Sequence, residues 1–177
     1  MDKRKRRLPT RNQGEGEVVE VLWAPWRGVY LSGPKDPTCI FCRARDANDP
    51  AEQYVLSTSP AVVMLNKFPY ATAHLMVAPR RHTADFAGMP AEEACELLKV
   101  VQRAAVVLQE VYKPEGMNIG LNLGQAAGAG FVDHLHWHLV PRWIGDTNFM
   151  PVLAGVKVMP DHLQAIYEKL KPHFAGE

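Results

Sequence analysis

The chain has 177 residues, 47% of them hydrophobic and 22% charged, with three cysteines, seven histidines and a net charge of +1. This describes one ordinary globular domain able to bury a core without staples. It excludes collagenous, disulfide-framework and fully disordered classes, and no apolar run approaches the ~18 residues of a membrane-spanning helix.

The near-neutral charge is a sum of unlike parts. Residues 2–11 hold six basic side chains against Asp2, which leaves a body of net −4. Residues 1–17 have no hydrophobic period and read as a basic, disordered tail, with a single domain over 18–177. The tail reads first as a solvated arm. Its functional alternative is contact with nucleic acid or another polyanion. No apolar segment follows it, so it is no secretory signal, and the sparse cysteines fit a reducing cytosol. A cytoplasmic protein with no membrane partner is expected.

Trp23-Ala24-Pro25-Trp26 reads as an extended arm packing on the domain, and residues 32–38 as a loop. Cys39-Ile40-Phe41-Cys42 follows and offers two thiols from one turn. Residues 61–65 and 74–78 have strand length and composition, joined by a connection over 66–72. Residues 90–112 form the best helix: Pro90 suits its start, and Glu92 and Glu93 suit its positive end. Its apolar residues at 94, 97, 98, 101, 104, 105, 108, 111 and 112 define one buried face. Strands are expected over 117–123 and 134–140, the latter stopped by Pro141, with a shorter helix over 160–171. Together these predict an α+β fold: an antiparallel sheet packed with one long helix and a shorter C-terminal helix.

The chemistry concentrates at His134-Leu135-His136-Trp137-His138. Period two on a strand sends the three imidazoles to one face and Leu135, Trp137 and Leu139 to the other. Clustered imidazoles push one another toward the neutral form, which is a nucleophile or general base near neutral pH. A polar outer strand face and a pure metal site are the alternatives. The small-residue loop at 124–130 favours catalysis, because backbone N–H groups in such loops can cradle a phosphate. A lone pair of thiols such as Cys39 and Cys42 is only half of a closed zinc site, which needs two more ligands. Two buried thiols or a redox pair are the alternatives.

The run His134-Leu135-His136-Trp137-His138-Leu139-Val140 resembles the His-x-His-x-His motif of the histidine triad family. Residues 65–82, ending Pro79-Arg80-Arg81-His82, are similar to that family's strand–turn–strand. Asn122-Leu123-Gly124 and the loop after it resemble its phosphate loop. Pro141-Arg142-Trp143 and residues 145–149 resemble the branch of diadenosine polyphosphate phosphorylases and hydrolases. The resemblance implies an enzyme in which His136 attacks the α-phosphate of a dinucleoside polyphosphate to form a covalent nucleotidyl-histidine. Water or inorganic phosphate would then release the nucleotide. It implies His134 and His138 as further catalytic residues. Asn66, His74, Asn122, Gly128, Gly130 and Trp143 would bind substrate. Cys39, Cys42, His82 and His134 would hold a structural zinc, with no organic cofactor, in a homodimer. Alternatives are a nucleoside phosphoramidase and a zinc-stabilised nucleotide- or nucleic-acid-binding protein without turnover. One departure stands out: the phosphorylase branch is expected to carry a serine or threonine near Gly130, and this chain reads Gly128-Ala129-Gly130-Phe131.

Overall fold

A computed structural model describes residues 38–146 and 161–174. The expected tail, the Trp23–Trp26 arm, most of the 32–38 loop and residues 147–149 lie outside the described residues. The elements in chain order are α1 (Ile40–Arg45), β1 (Val55–Ser57), β2 (Val62–Leu65), β3 (Leu75–Ala78), α2 (Ala91–Tyr112), β4 (Gly116–Leu121), β5 (Trp137–Arg142) and α3 (Leu163–Leu170). Short 3-10 turns cover Gln125–Ala127 and Lys171–Phe174. The strands form one antiparallel sheet in the order β1-β2-β3-β5-β4. The α+β class therefore stands. α1 and β1 are additions, each too short to show a hydrophobic period. Among the described residues, no helix is long and apolar enough to cross a membrane.

Register sorts the sheet into two faces. Leu65, Leu75 and Leu139 are mutual partners across β2, β3 and β5, and all three are almost completely buried. They meet Leu97, Val101, Ala104 and Leu108 of α2 and Ile166 and Leu170 of α3 in the main core. Met64, Met76 and His138 are partners on the other face. There Phe41 and Ala44 of α1 complete a smaller apolar cluster with Val55, Val62, Met64, Met76 and Ala78.

Two expectations need correction. The buried face of α2 is Leu97, Val100, Val101, Ala104, Val107 and Leu108, whereas Leu98 is 47% exposed. The apolar surface of α2 is wider than one face can bury. Periodicity finds its centre but does not say whether the Leu98–Ala105 or the Val100–Val107 flank meets the sheet. The last strand begins at Trp137, so residues 134–136 lie outside the ladder, with a bend at His134. Pro141 does not stop this strand. It pairs with Met117 of β4, while β3 partners only residues 137–139, so its missing N–H faces no neighbouring strand.

Candidate active site

Residues distant in sequence converge on the sheet face opposite α2. His136 is nearly buried, and His134 and His74 are each 1% exposed. Ring centroids of His136 and His138 lie 4.8 Å apart, and those of His74 and His138 5.1 Å apart. His134 instead turns toward His82, at 5.0 Å. The triad thus stands between two groups, with a cysteine–histidine cluster at one end and His74 at the other.

Hydrogen bonds assign a tautomer to each ring. The Tyr70 backbone N–H donates to His74 Nδ1 at 3.1 Å, so His74 carries its proton on Nε2. That Nε2–H donates to His138 Nδ1 at 2.9 Å, which leaves the His138 proton on Nε2. His136 has the opposite arrangement: its Nδ1–H donates to the His134 carbonyl oxygen at 2.9 Å, leaving the lone pair on Nε2. His134 Nε2–H donates to the Pro79 carbonyl oxygen at 2.9 Å and directs its Nδ1 lone pair at Cys39 Sγ, 3.1 Å away. Burial holds the pKa of His136 below its ordinary value, against the opposing pull of the His134 carbonyl. Burial likewise lowers His134, helped by neighbouring His82, His136 and Arg45. Both rings are therefore neutral at neutral pH, the form in which an imidazole can attack phosphorus or bind a metal.

The ligand atoms of Cys39, Cys42, His82 and His134 all lie within 4.8 Å of one another. Cys42 Sγ is 3.4 Å from His82 Nδ1 and 3.7 Å from His134 Nδ1. Tetrahedral zinc bound to sulfur and nitrogen would place its ligand atoms roughly 3.3–3.8 Å apart, so the residues fit the metal. Burial raises the Cys42 thiol, and Cys39 adds to the shift. A cation reverses that preference and makes both sulfurs ligands.

The other sequence candidates separate. Asn66 acts as a turn residue: its Oδ1 accepts the Phe68 N–H at 2.8 Å, and its Nδ2 lies 3.4 Å from His74 Nδ1. Asn122 faces the small-residue loop, since a Cβ on Gly128 would sit 4.0 Å from its Nδ2. Gly128 has φ +84°, which an L side chain would strain. Its N–H donates to the Gln125 carbonyl at 2.9 Å, and that of Ala129 to the Gly124 carbonyl at 3.4 Å. The amides of Gly128 and Ala129 are thus engaged within the loop itself. Trp143 lies just past the end of β5, where its N–H, with Arg142, binds Asp146 in a closed turn.

Three contributors escaped the sequence reading. The Tyr70 amide and the Pro79 carbonyl are backbone groups, for which side-chain identity gives no signal. Phe41, fully buried at 4.8 Å from the His136 ring, was in view inside the Cys-x-x-Cys segment.

With this geometry, comparison with known proteins becomes specific. The HIT domain model matches residues 48–143, more than half of the chain. The chain belongs to the histidine triad family. Within it, the chain is 34% identical over 176 residues to an AP-4-A phosphorylase of Mycobacterium tuberculosis, covering 94% of this chain and 90% of that protein. It is 29% identical over 142 residues to an adenosine 5'-monophosphoramidase of Candida albicans, covering 78% of this chain and 92% of that one. A zinc-bound histidine triad family protein of Mycobacterium smegmatis superposes with a TM-score of 0.62 at 28% identity, covering 78% of this chain and 94% of that structure.

Proposed function

We propose that this histidine triad protein is an enzyme that cleaves dinucleoside polyphosphates of the diadenosine tetraphosphate class through a covalent nucleotidyl-His136. The observation that carries the reading is the opposed protonation of His136 and His138. His136 Nε2 attacks the α-phosphorus, forming a P–N bond as the P–O bond to the departing nucleoside polyphosphate breaks. The leaving oxygen is a phosphate oxygen, weakly basic, so a hydrogen bond from His138 Nε2–H suffices to stabilise it. The phosphorylated imidazole keeps its Nδ1–H on the His134 carbonyl, which offsets the positive charge it gains. Amides from Gly130 onward, with Asn122, hold the non-bridging oxygens. Asn66 and His74 shape the other wall, His74 by fixing the His138 tautomer.

In the second step a phosphate or water oxygen attacks the nucleotidyl phosphorus and His136 leaves. Phosphate yields ADP and ATP from diadenosine tetraphosphate; water yields AMP and ATP. The phosphorylase similarity supports phosphate as acceptor, although residues 128–131 lack the expected hydroxyl. Cleavage in labelled water, with and without phosphate, tests this. ADP that appears only with phosphate is the expected result; AMP carrying solvent oxygen at every phosphate concentration contradicts it. The likeness to a phosphoramidase motivates the second reading, hydrolysis of P–N bonds, for which adenylyl-lysine is the comparison substrate.

Cys39, Cys42, His82 and His134 hold zinc in this reading. A closed four-ligand zinc supplies no reacting group; it ties α1 to the segment leading into His136. The family resemblance and the edge position of β4 among the described strands, where Ile119 is 46% exposed, support a homodimer. The unpaired cysteines fit a cytoplasmic setting.

A further inference from the structure

We propose that Tyr70 is a positioning residue for nucleotidyl transfer, a ring that covers the His74–His138 pair and keeps the His138 proton on Nε2. The inference rests on the reading of His136 as the nucleophile and His138 as the donor to the leaving oxygen. The Tyr70 ring centroid lies 4.7 Å from that of His74, with the planes inclined by 38°. It lies 5.8 Å from that of His138, inclined by 32°. Tyr70 is 39% exposed, whereas His74 is 1% exposed. The ring thus stands between solvent and a pair joined by one 2.9 Å hydrogen bond.

What His138 can donate depends on that bond. His74 Nε2–H occupies His138 Nδ1, which leaves the His138 Nε2–H for the departing oxygen. Water in place of His74 would serve either tautomer, because it both donates and accepts. It would also let the imidazole turn, since the terminal torsion of histidine is broad. A ring that excludes water removes this competitor and strengthens the bond by lowering the local dielectric. As the P–O bond breaks, its electron pair passes to the leaving oxygen, and a donor already in place there needs no reorganisation. Tyr70 therefore acts twice. Its backbone N–H fixes His74 at 3.1 Å, and its ring protects the bond that His74 then makes.

The connection between β2 and β3 explains how the ring is held. The Asn66 N–H donates to the His74 carbonyl at 3.0 Å and closes the connection next to the Leu65–Leu75 pair. Asn66 Oδ1 accepts the Phe68 N–H at 2.8 Å and turns the chain where it leaves β2. At the far end Ala73 has φ 58°, a left-handed conformation that is costly for an L residue. Ala73 is buried in the main core, which holds that conformation and directs the chain into His74. Both ends are pinned, and the residues between them set Tyr70 against the two histidines.

Tyr70→Leu and Tyr70→Met remove the ring and keep an apolar side chain, so that one of the pair folds if the other does not. Tyr70→Phe restores the ring. Two quantities are measured on the full chain with diadenosine tetraphosphate: the single-turnover rate of nucleotidyl-enzyme formation and substrate affinity. A third is the same rate on a series of aryl esters of AMP with progressively less acidic phenols. A fourth is the ¹⁵N spectrum of the His138 ring without substrate. The proposal predicts at least about a tenfold fall in rate for the Leu and Met variants, affinity within about twofold, and recovery by Tyr70→Phe to within about threefold of the wild type. The fall grows along the ester series, because a more basic leaving oxygen depends more on its donor. His138 shows one Nε2–H tautomer in the wild type and in Tyr70→Phe, and a mixture in the other two variants. An equal fall on every ester with an unchanged His138 spectrum overturns the proposal, since that is a general loosening of the site. So does weaker affinity at unchanged rate, which would mean that the ring meets the nucleotide directly. If the wild type forms no nucleotidyl adduct, the nucleophile reading has failed. The His138 spectrum then decides alone: a mixture in Tyr70→Leu upholds the role of the ring, and a single tautomer overturns it.

Discussion

His136 and His138 are the same residue two positions apart, yet they present opposite chemistry at the same atom. A backbone carbonyl takes the Nδ1 proton of His136, and the Nε2–H of His74 occupies the Nδ1 of His138. One Nε2 is therefore a lone pair and the other a donor, before any substrate arrives. Burial adds the protonation state, holding the pKa of His136 below its ordinary 6.5. Because the neutral ring is the nucleophile, the single-turnover rate should hold as pH falls through 6.5 and decline only below it. An acid limb centred at or above that value would contradict the assignment. The same shift affects stability. Between the depressed folded value and the unfolded one, the unfolded chain binds more protons at His136 and His134, so acidification favours unfolding. This contribution is fully present above pH 6.5 and is lost as pH falls through the folded values. Thermal melts on either side of pH 6.5 check it.

At the scale of elements, α2 separates stability from chemistry. Leu108 is fully buried against the sheet face that does not carry the triad, and Leu98 is 47% exposed. Leu108→Ala should cost about 2–5 kcal/mol, and Leu98→Ala about 0.5 kcal/mol or less, by denaturant titration. Turnover per folded molecule should stay at the wild-type level for Leu108→Ala. How much was legible also divides by element. α2, β2, β3 and the part of β5 from Trp137 to Val140 follow from period and punctuation, because each has enough residues to display a pattern. β1 has three residues and α1 six, so they exist through contacts that no local pattern records. The ligand set of Cys39, Cys42, His82 and His134 was read from a resemblance, and in the structure the four come together. Trp143 was read by the same route, and β5 carries the chain past the histidines to the turn that Asp146 closes there. A motif gives chain order, whereas only strand direction says which end of the sheet a residue reaches.

For the molecule as a whole, the cysteine–histidine cluster joins segments far apart in the chain; Cys39 and His134 are 95 positions apart. A metal there would close a long loop and clamp the approach to His136. Removing zinc with a chelator should lower the melting temperature and expose Cys39 and Cys42 to a thiol reagent, and added zinc should restore both. Equal melting temperatures with and without metal would deny it this structural role. The acidic body, at net −4, gives no general attraction for a polyanionic substrate. In the proposed reading, recognition falls to local donors such as His138 Nε2–H and backbone amides of the small-residue loop.

The central claim is that the reaction passes through nitrogen on His136. The most direct test is to quench the enzyme with labelled diadenosine tetraphosphate during turnover and map the modified residue by mass spectrometry. The account predicts one adenylyl group on His136, acid-labile and alkali-stable as a P–N bond is, and absent from His136→Ala, which also loses turnover. His136→Ala protein that still cleaves the substrate at the wild-type rate, or label found on another residue, would contradict it.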